Sequence, residues 1–205
     1  MMRKWISTTR CRHSLAALVA LVLVAACERE SLPSPEQLLL SQNDLPGEWT
    51  VSPEGPHVPL GDAPLASGLG AVDTSIVFYY HPVDGGSAGA HEQIFLFRTE
   101  SEAAESYKKL VQTAFRDGAN WHWAPPGFDV STPRNAHESR LSCTEGRVEE
   151  MCRLIARYGL YLLDLKVDLD ALTADLEPVN VVPHDSFPSI IQAIETSMER
   201  AIPDS

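Results

Sequence analysis

The N-terminal segment constrains the rest of the chain more than any other stretch. Arg3, Lys4, Arg10 and Arg12 precede an apolar run over residues 15–24, the order of positive charge and hydrocarbon that an export signal requires. That run is about ten residues long, half of what a bilayer core demands of a spanning helix. It therefore reads as a signal core and not as a permanent transmembrane helix, and no other apolar run in the chain is long enough to anchor it. Whatever follows must fold after leaving the cytoplasm, where thiols oxidise.

The run ends in Val24-Ala25-Ala26-Cys27. These residues resemble the lipobox of bacterial lipoproteins, in which the cysteine thiol is alkylated by lipid and becomes the new first residue; valine stands at 24 where that family usually has leucine. The resemblance implies a signal peptide over residues 1–26, lipid with palmitate among its acyl groups on Cys27, and an extracytoplasmic position at the cell membrane. A plain secretory peptide cut after Ala26 accounts for the same residues, but it leaves Cys27 as an exposed reactive thiol. With lipid attached, each buried methylene contributes about 0.8 kcal/mol of membrane affinity.

Loss of residues 1–26 takes four basic residues and no acidic one, leaving 12 basic against 28 acidic, a net charge of −16. So acidic a surface repels phosphate backbones, which excludes nucleic acid as a partner class; solubility is the common reason for such a balance. Cys11 leaves with the signal and Cys27 is committed to lipid, so Cys143 and Cys152 remain to pair as a disulfide. Their spacing fits neither Cys-x-x-Cys nor a zinc knuckle.

The remaining length suits one domain with a real core. Residues 27–34 read as a tether and 35–205 as a single α+β domain. Ser34-Pro35-Glu36-Gln37 offers a capping box with proline in the first turn of a brief helix over Leu38, Leu39 and Leu40. The stretch 52–71 is crowded with proline and glycine and reads as an irregular loop. Residues 76–81 and 92–98 form two β-type runs around Asp84-Gly85-Gly86-Ser87-Ala88-Gly89, a hairpin. Thr99 and Glu102 cap a helix that turns Ala103, Tyr107, Leu110, Val111 and Ala114 inward and closes at Gly118.

Further strands fall near 120–124, 138–144, 150–158 and 160–169. In the last, Leu163, Leu165, Val167 and Leu169 alternate with Asp164, Lys166, Asp168 and Asp170, as in a sheet with one buried and one solvated side. A helix after Pro188 presents Ile190, Ile191, Ile194, Met198 and Ile202 on one face. The expected architecture is an antiparallel β-sheet with the two main helices packed on one face.

This order of hairpin, helix, disulfide-linked strands and C-terminal helix, with an opening Leu39-Leu40 through Asp44-Leu45-Pro46-Gly47-Glu48-Trp49, resembles extracytoplasmic sensor and lipoprotein domains typified by the external domain of mycobacterial receptor kinases. The resemblance implies binding or sensing without catalysis, with signalling left to a partner.

Gly85-Gly86-Ser87-Ala88-Gly89 satisfies the letters of the G-x-S-x-G nucleophile elbow, which holds its serine between a strand and a helix. Here a strand follows, so a glycine-rich hairpin turn explains it better. His57, His81, His91, His122, His137 and His184 form no compact metal spacing. Asp168 and Asp170 lack the next ligand and glycine of a calcium loop. Neither a metal nor a cofactor is expected, and no residue is assigned as acid or base.

Trp121 and Trp123 share a strand face beside Pro125-Pro126, and with Trp49 they form the candidate ligand-binding set, an apolar platform with indole N–H groups. Core packing is the plainer reading of the same aromatics. The function expected is that of a non-enzymatic membrane lipoprotein binding a small apolar ligand or an envelope protein. An envelope hydrolase and a purely structural module are the alternatives.

Overall fold

The computed structural model describes residues 32–53, 68–83, 86–145, 150–172, 178–180 and 186–202, with only the backbone described at 83, 86, 87, 170–172 and 178–180. The segment read as a signal peptide, Cys27, His57, His184 and most of the 52–71 loop lie outside these. From Pro33 onward the chain forms one unit.

Its centre is a seven-stranded sheet built from β1 (Thr50–Val51), β2 (Asp73–Val83), β3 (Gly86–Leu96), β4 (His122–Ala124), β5 (Glu138–Glu145), β6 (Met151–Tyr158) and β7 (Tyr161–Asp168). The strands lie in the order β1-β2-β3-β7-β6-β5-β4, and every neighbouring pair is antiparallel. Two hairpin series thus meet where β3 pairs with β7. β8 (Asp170–Leu172) and β9 (Pro178–Asn180) form a separate two-stranded ribbon. The helices are α1 (Pro35–Leu38), α2 (Glu100–Ala114) and α3 (Ser186–Ala201).

Local chemistry places these elements much as the residues suggested. The Ser34 N–H donates to Gln37 Oε1 at 2.8 Å, so the glutamine of the capping box holds the start of α1. Thr99 caps α2 by accepting from the Glu102 N–H at 3.2 Å. The β2–β3 hairpin is longer than expected. Its ladder continues to Val83 opposite Gly86, so Ser87 sits in a strand opposite Pro82. The β6–β7 hairpin turns at Gly159, whose φ of 55° is a left-handed conformation that glycine adopts without strain.

The placement of the helices corrects the expectation that both pack on one face. Alternate residues of a strand point to opposite sides. Ile94, Leu154, Ala156, Leu163, Leu165 and Val167 belong to the core shared with Leu38, Phe187, Ile190, Ile194 and Met198, beneath α1 and α3. Their neighbours Phe95, Ile155 and Leu162 belong to a second core with Ala103, Leu110 and Phe115, beneath α2. The helices therefore cover opposite faces. The reason lies in Ile94-Phe95-Leu96-Phe97 and Leu154-Ile155-Ala156: strands that are apolar at consecutive positions bury both sides.

Cys143 and Cys152 stand directly opposite each other on β5 and β6 and are joined as a disulfide. Both are buried in the α3 core.

Candidate functional site

The connection from β4 to β5 returns across the α3 side of the sheet. Phe128 meets Phe187 edge to face at 6.1 Å, while Val130 and Ala136 pack on the core and Pro133 is buried. The 131–135 segment and α3 together border a cleft of about 610 Å³. Ser131, Arg134 and Asn135 form one wall; Ile191, Glu195 and Glu199 contribute to the other, spaced four apart so that they share a helix face. The Arg134 backbone N–H donates to Glu195 Oε1 at 2.7 Å, and the Asn135 side-chain amide donates to the Glu199 carboxylate. Among the described residues each carboxylate accepts from one donor, which leaves lone pairs for more.

A second opening of about 340 Å³ is bounded by Asp44, Pro46 and α3. Gln192 and Thr196 border both openings, so they form a ridge between two grooves. The Tyr158 phenol is fully buried, and its oxygen has no hydrogen-bond partner among the described residues. Burial pushes its pKa well up, and the charges of Glu195, Glu92 and Glu199 push it further.

A buried polar cluster lies on the same face of the sheet. Glu92 stands opposite Val77 on β2 and Leu165 on β7. Its Oε2 accepts from the Leu40 N–H at 3.0 Å and from the Tyr79 hydroxyl, whereas Oε1 has no partner among the described residues. Burial raises the Glu92 pKa to about 7, the two hydrogen bonds lowering it only in part. The Tyr79 phenol is pushed well above its ordinary value, first by burial and then by the Glu92 charge.

The three tryptophans of the expected platform do not come together. Trp49 is 1% exposed in the α3 core and lies edge-on to His81 at 5.3 Å. Gln42 fixes this turn by donating to the Trp49 carbonyl at 2.9 Å and accepting from the Val51 N–H at 2.8 Å. Trp123 lies on the other face, packed against the α2 core. Its ring meets Phe115 at 5.0 Å and Trp121 at 5.8 Å, both edge to face. The Trp121 indole rests on Gly118, with Nε1 2.0 Å from where a Cβ would stand, so a side chain at 118 displaces it. Trp121 and Trp123 are thus neighbours, as their spacing suggested, and both are half-buried. Neither described opening is bounded by any of the three.

The histidines are dispersed. His122 Nε2 lies 3.1 Å from the Glu145 carboxylate, and His137 Nδ1 accepts from the Gly159 N–H at 3.2 Å. His91 has its pKa lowered, chiefly by burial. Among the described residues no three His, Cys, Asp or Glu side chains gather as metal ligands, and no helix is long and apolar enough to cross a membrane. Arg134, Asn135, Glu195 and Glu199 were not anticipated from the sequence. The only signal was Glu195 and Glu199 one turn apart on a polar helix face, a spacing ordinary solvated helices share.

No protein-family model matches the chain, and neither does any curated protein. Among solved structures it resembles the extracellular domain of PknH from Mycobacterium tuberculosis, at 14% identity over 83% of this chain and 98% of that one, with a TM-score of 0.48.

Proposed function

We propose that the mature chain is a non-enzymatic binding module, held on the extracytoplasmic side of the cell membrane by lipid on Cys27, which captures its ligand in the cleft beside α3. The observation that carries the binding role is the construction of that cleft: two carboxylates one helical turn apart, oriented by donors from the facing loop above a partly apolar wall. Oriented carboxylates with spare lone pairs suit an ammonium or guanidinium group. The ligand is therefore a polar cation-bearing molecule or a basic segment of an envelope protein. A small apolar ligand at Trp49, Trp121 and Trp123 is less well supported, because Trp49 is sealed and lies on the opposite face from Trp123.

The non-enzymatic reading rests on Ser87 lying within β3 opposite Pro82, between two strands, where an elbow needs a strand leading into a helix. Native mass spectrometry of the chain extracted from membranes tests the binding role. We expect a bound mass that disappears in a Glu195→Gln, Glu199→Gln double variant; a mass unaltered by that variant removes the cleft from consideration. Cys27→Ala tests the anchor, and the variant should leave the membrane fraction.

A further inference from the structure

We propose that the β6–β7 turn end of the sheet faces the lipid bilayer, with Val72 at the bilayer surface; the proposal rests on the lipid anchor at Cys27. Residues 28–32 separate that cysteine from Pro33, and an extended chain covers at most about 3.6 Å per residue, so Pro33 stays within about 20 Å of the lipid. Pro33 is itself fixed to the fold. Its carbonyl accepts from the Tyr161 hydroxyl at 2.7 Å, and Pro35 and Leu38 are buried immediately after it.

Tyr161 begins β7, next to the Gly159–Leu160 turn. It pairs with Leu96, which pairs with Asp73, so one end of four strands is marked by these residues. Val72 belongs to this end. Its N–H donates to the Leu96 carbonyl at 2.8 Å, and its side chain is 43% exposed. The opposite end, where β5 stops at Glu145 and β7 at Asp168, is about 23 Å away along the strands. A tether pinned at one end keeps that end, on average, nearer the lipid than the other.

Trp49, Trp121 and Trp123 report on this orientation because these three lie toward the other end. Trp49 contacts His81, which pairs near the far end of β2 with Ala88, and Trp123 pairs with Thr144, next to the last residue of β5. Tyr80, 40% exposed on the outer face of β2, reports on a sheet lying flat. The lipidated full chain and its Val72→Trp and Tyr80→Trp variants are reconstituted into phosphatidylcholine vesicles containing brominated acyl chains and recovered by flotation. We expect an about twofold fall in the emission added at position 72, an indole there reaching the interfacial region, with native and position-80 emission unchanged.

Quenching at position 80 or of the native tryptophans, with position 72 untouched, overturns the orientation in favour of a side-on pose. Floated protein with no quenching at any position overturns it too, since the domain then stands clear of the bilayer. If the native chain does not float at all, the anchor reading fails, and the orientation with it.

Discussion

The two faces of the sheet are made from alternate residues of the same strands, yet they are stabilised in different ways. Beneath α3 the contributions of β3, β6 and β7 are enclosed and, apart from Glu92, largely apolar. On this side four buried polar atoms, Trp49 Nε1, His81 Nδ1, Glu92 Oε1 and the Tyr158 hydroxyl, lack partners among the described residues, against Trp123 Nε1 on the other. On the other face α2 covers Phe95, Ile155 and Leu162, and beyond it the strands carry charge. There Asp164 is held by Arg153 through two hydrogen bonds, 2.8 Å from Nε and 2.5 Å from Nη2. One face is enclosed throughout and depends on buried area; the other combines an apolar core under α2 with a charged part that depends on pairing.

The sharpest way to break this contrast is Asp164→Ala. Asp164 is 2% and Arg153 19% exposed, so the substitution leaves a guanidinium largely buried without its partner, at a cost of about 4 kcal/mol. Urea unfolding measures it, and a loss under about 1 kcal/mol means that pairing does not hold that face. Next comes Glu92, whose folded pKa of about 7 exceeds the ordinary glutamate value of 4.5. Protonated glutamic acid is the form that the fold prefers, so stability should rise by about 3 kcal/mol as pH falls from above 7 to below 4.5. His91, its pKa lowered by burial, opposes this: its contribution is present above pH 6.5 and lost on acidification. Glu92→Gln should remove the acid-side gain and leave the His91 decline, which melts across that window would reveal.

Replacing both Cys143 and Cys152 with alanine should cost about 2 to 3 kcal/mol, since a loop of about ten residues is released in the unfolded chain; an unchanged denaturation midpoint would contradict this. Lys166→Ala should do least. It removes a 3.3 Å ion pair with Asp168 between side chains that are 32% and 43% exposed, worth at most about 0.5 kcal/mol. A larger loss would extend dependence on pairing to the open part of the sheet.

Much of the fold was legible because its signals are local. The alternation of Leu163, Leu165 and Val167 with charge marks β7, and Ile190, Ile191, Ile194 and Met198 mark the buried side of α3. The side on which α2 packs was misread because Asp164, Lys166 and Asp168 suggested an open face, while Ile155 between Leu154 and Ala156 carried the contrary message. Adjacency of β3 and β7 has no local signature. The cleft was illegible for a related reason: Arg134 and Asn135 belong to an aperiodic connection, and only tertiary packing brings them to Glu195 and Glu199. Trp121 and Trp123 meet because they are two residues apart in the chain, whereas nothing local told whether Trp49 points in or out.

The junction of β3 with β7 also sets the order of events during synthesis. Phe95 and Leu162 are partners across the middle of the sheet, yet α2, β4, β5 and β6 lie between them in the chain. Until β7 has been made, β3 lacks its neighbour on that side and neither core can close, because contacts between distant segments form only after the intervening loop is ordered. A nascent chain is thereby kept from its finished core until most of it exists. Late closure is in this sense written into strand order itself.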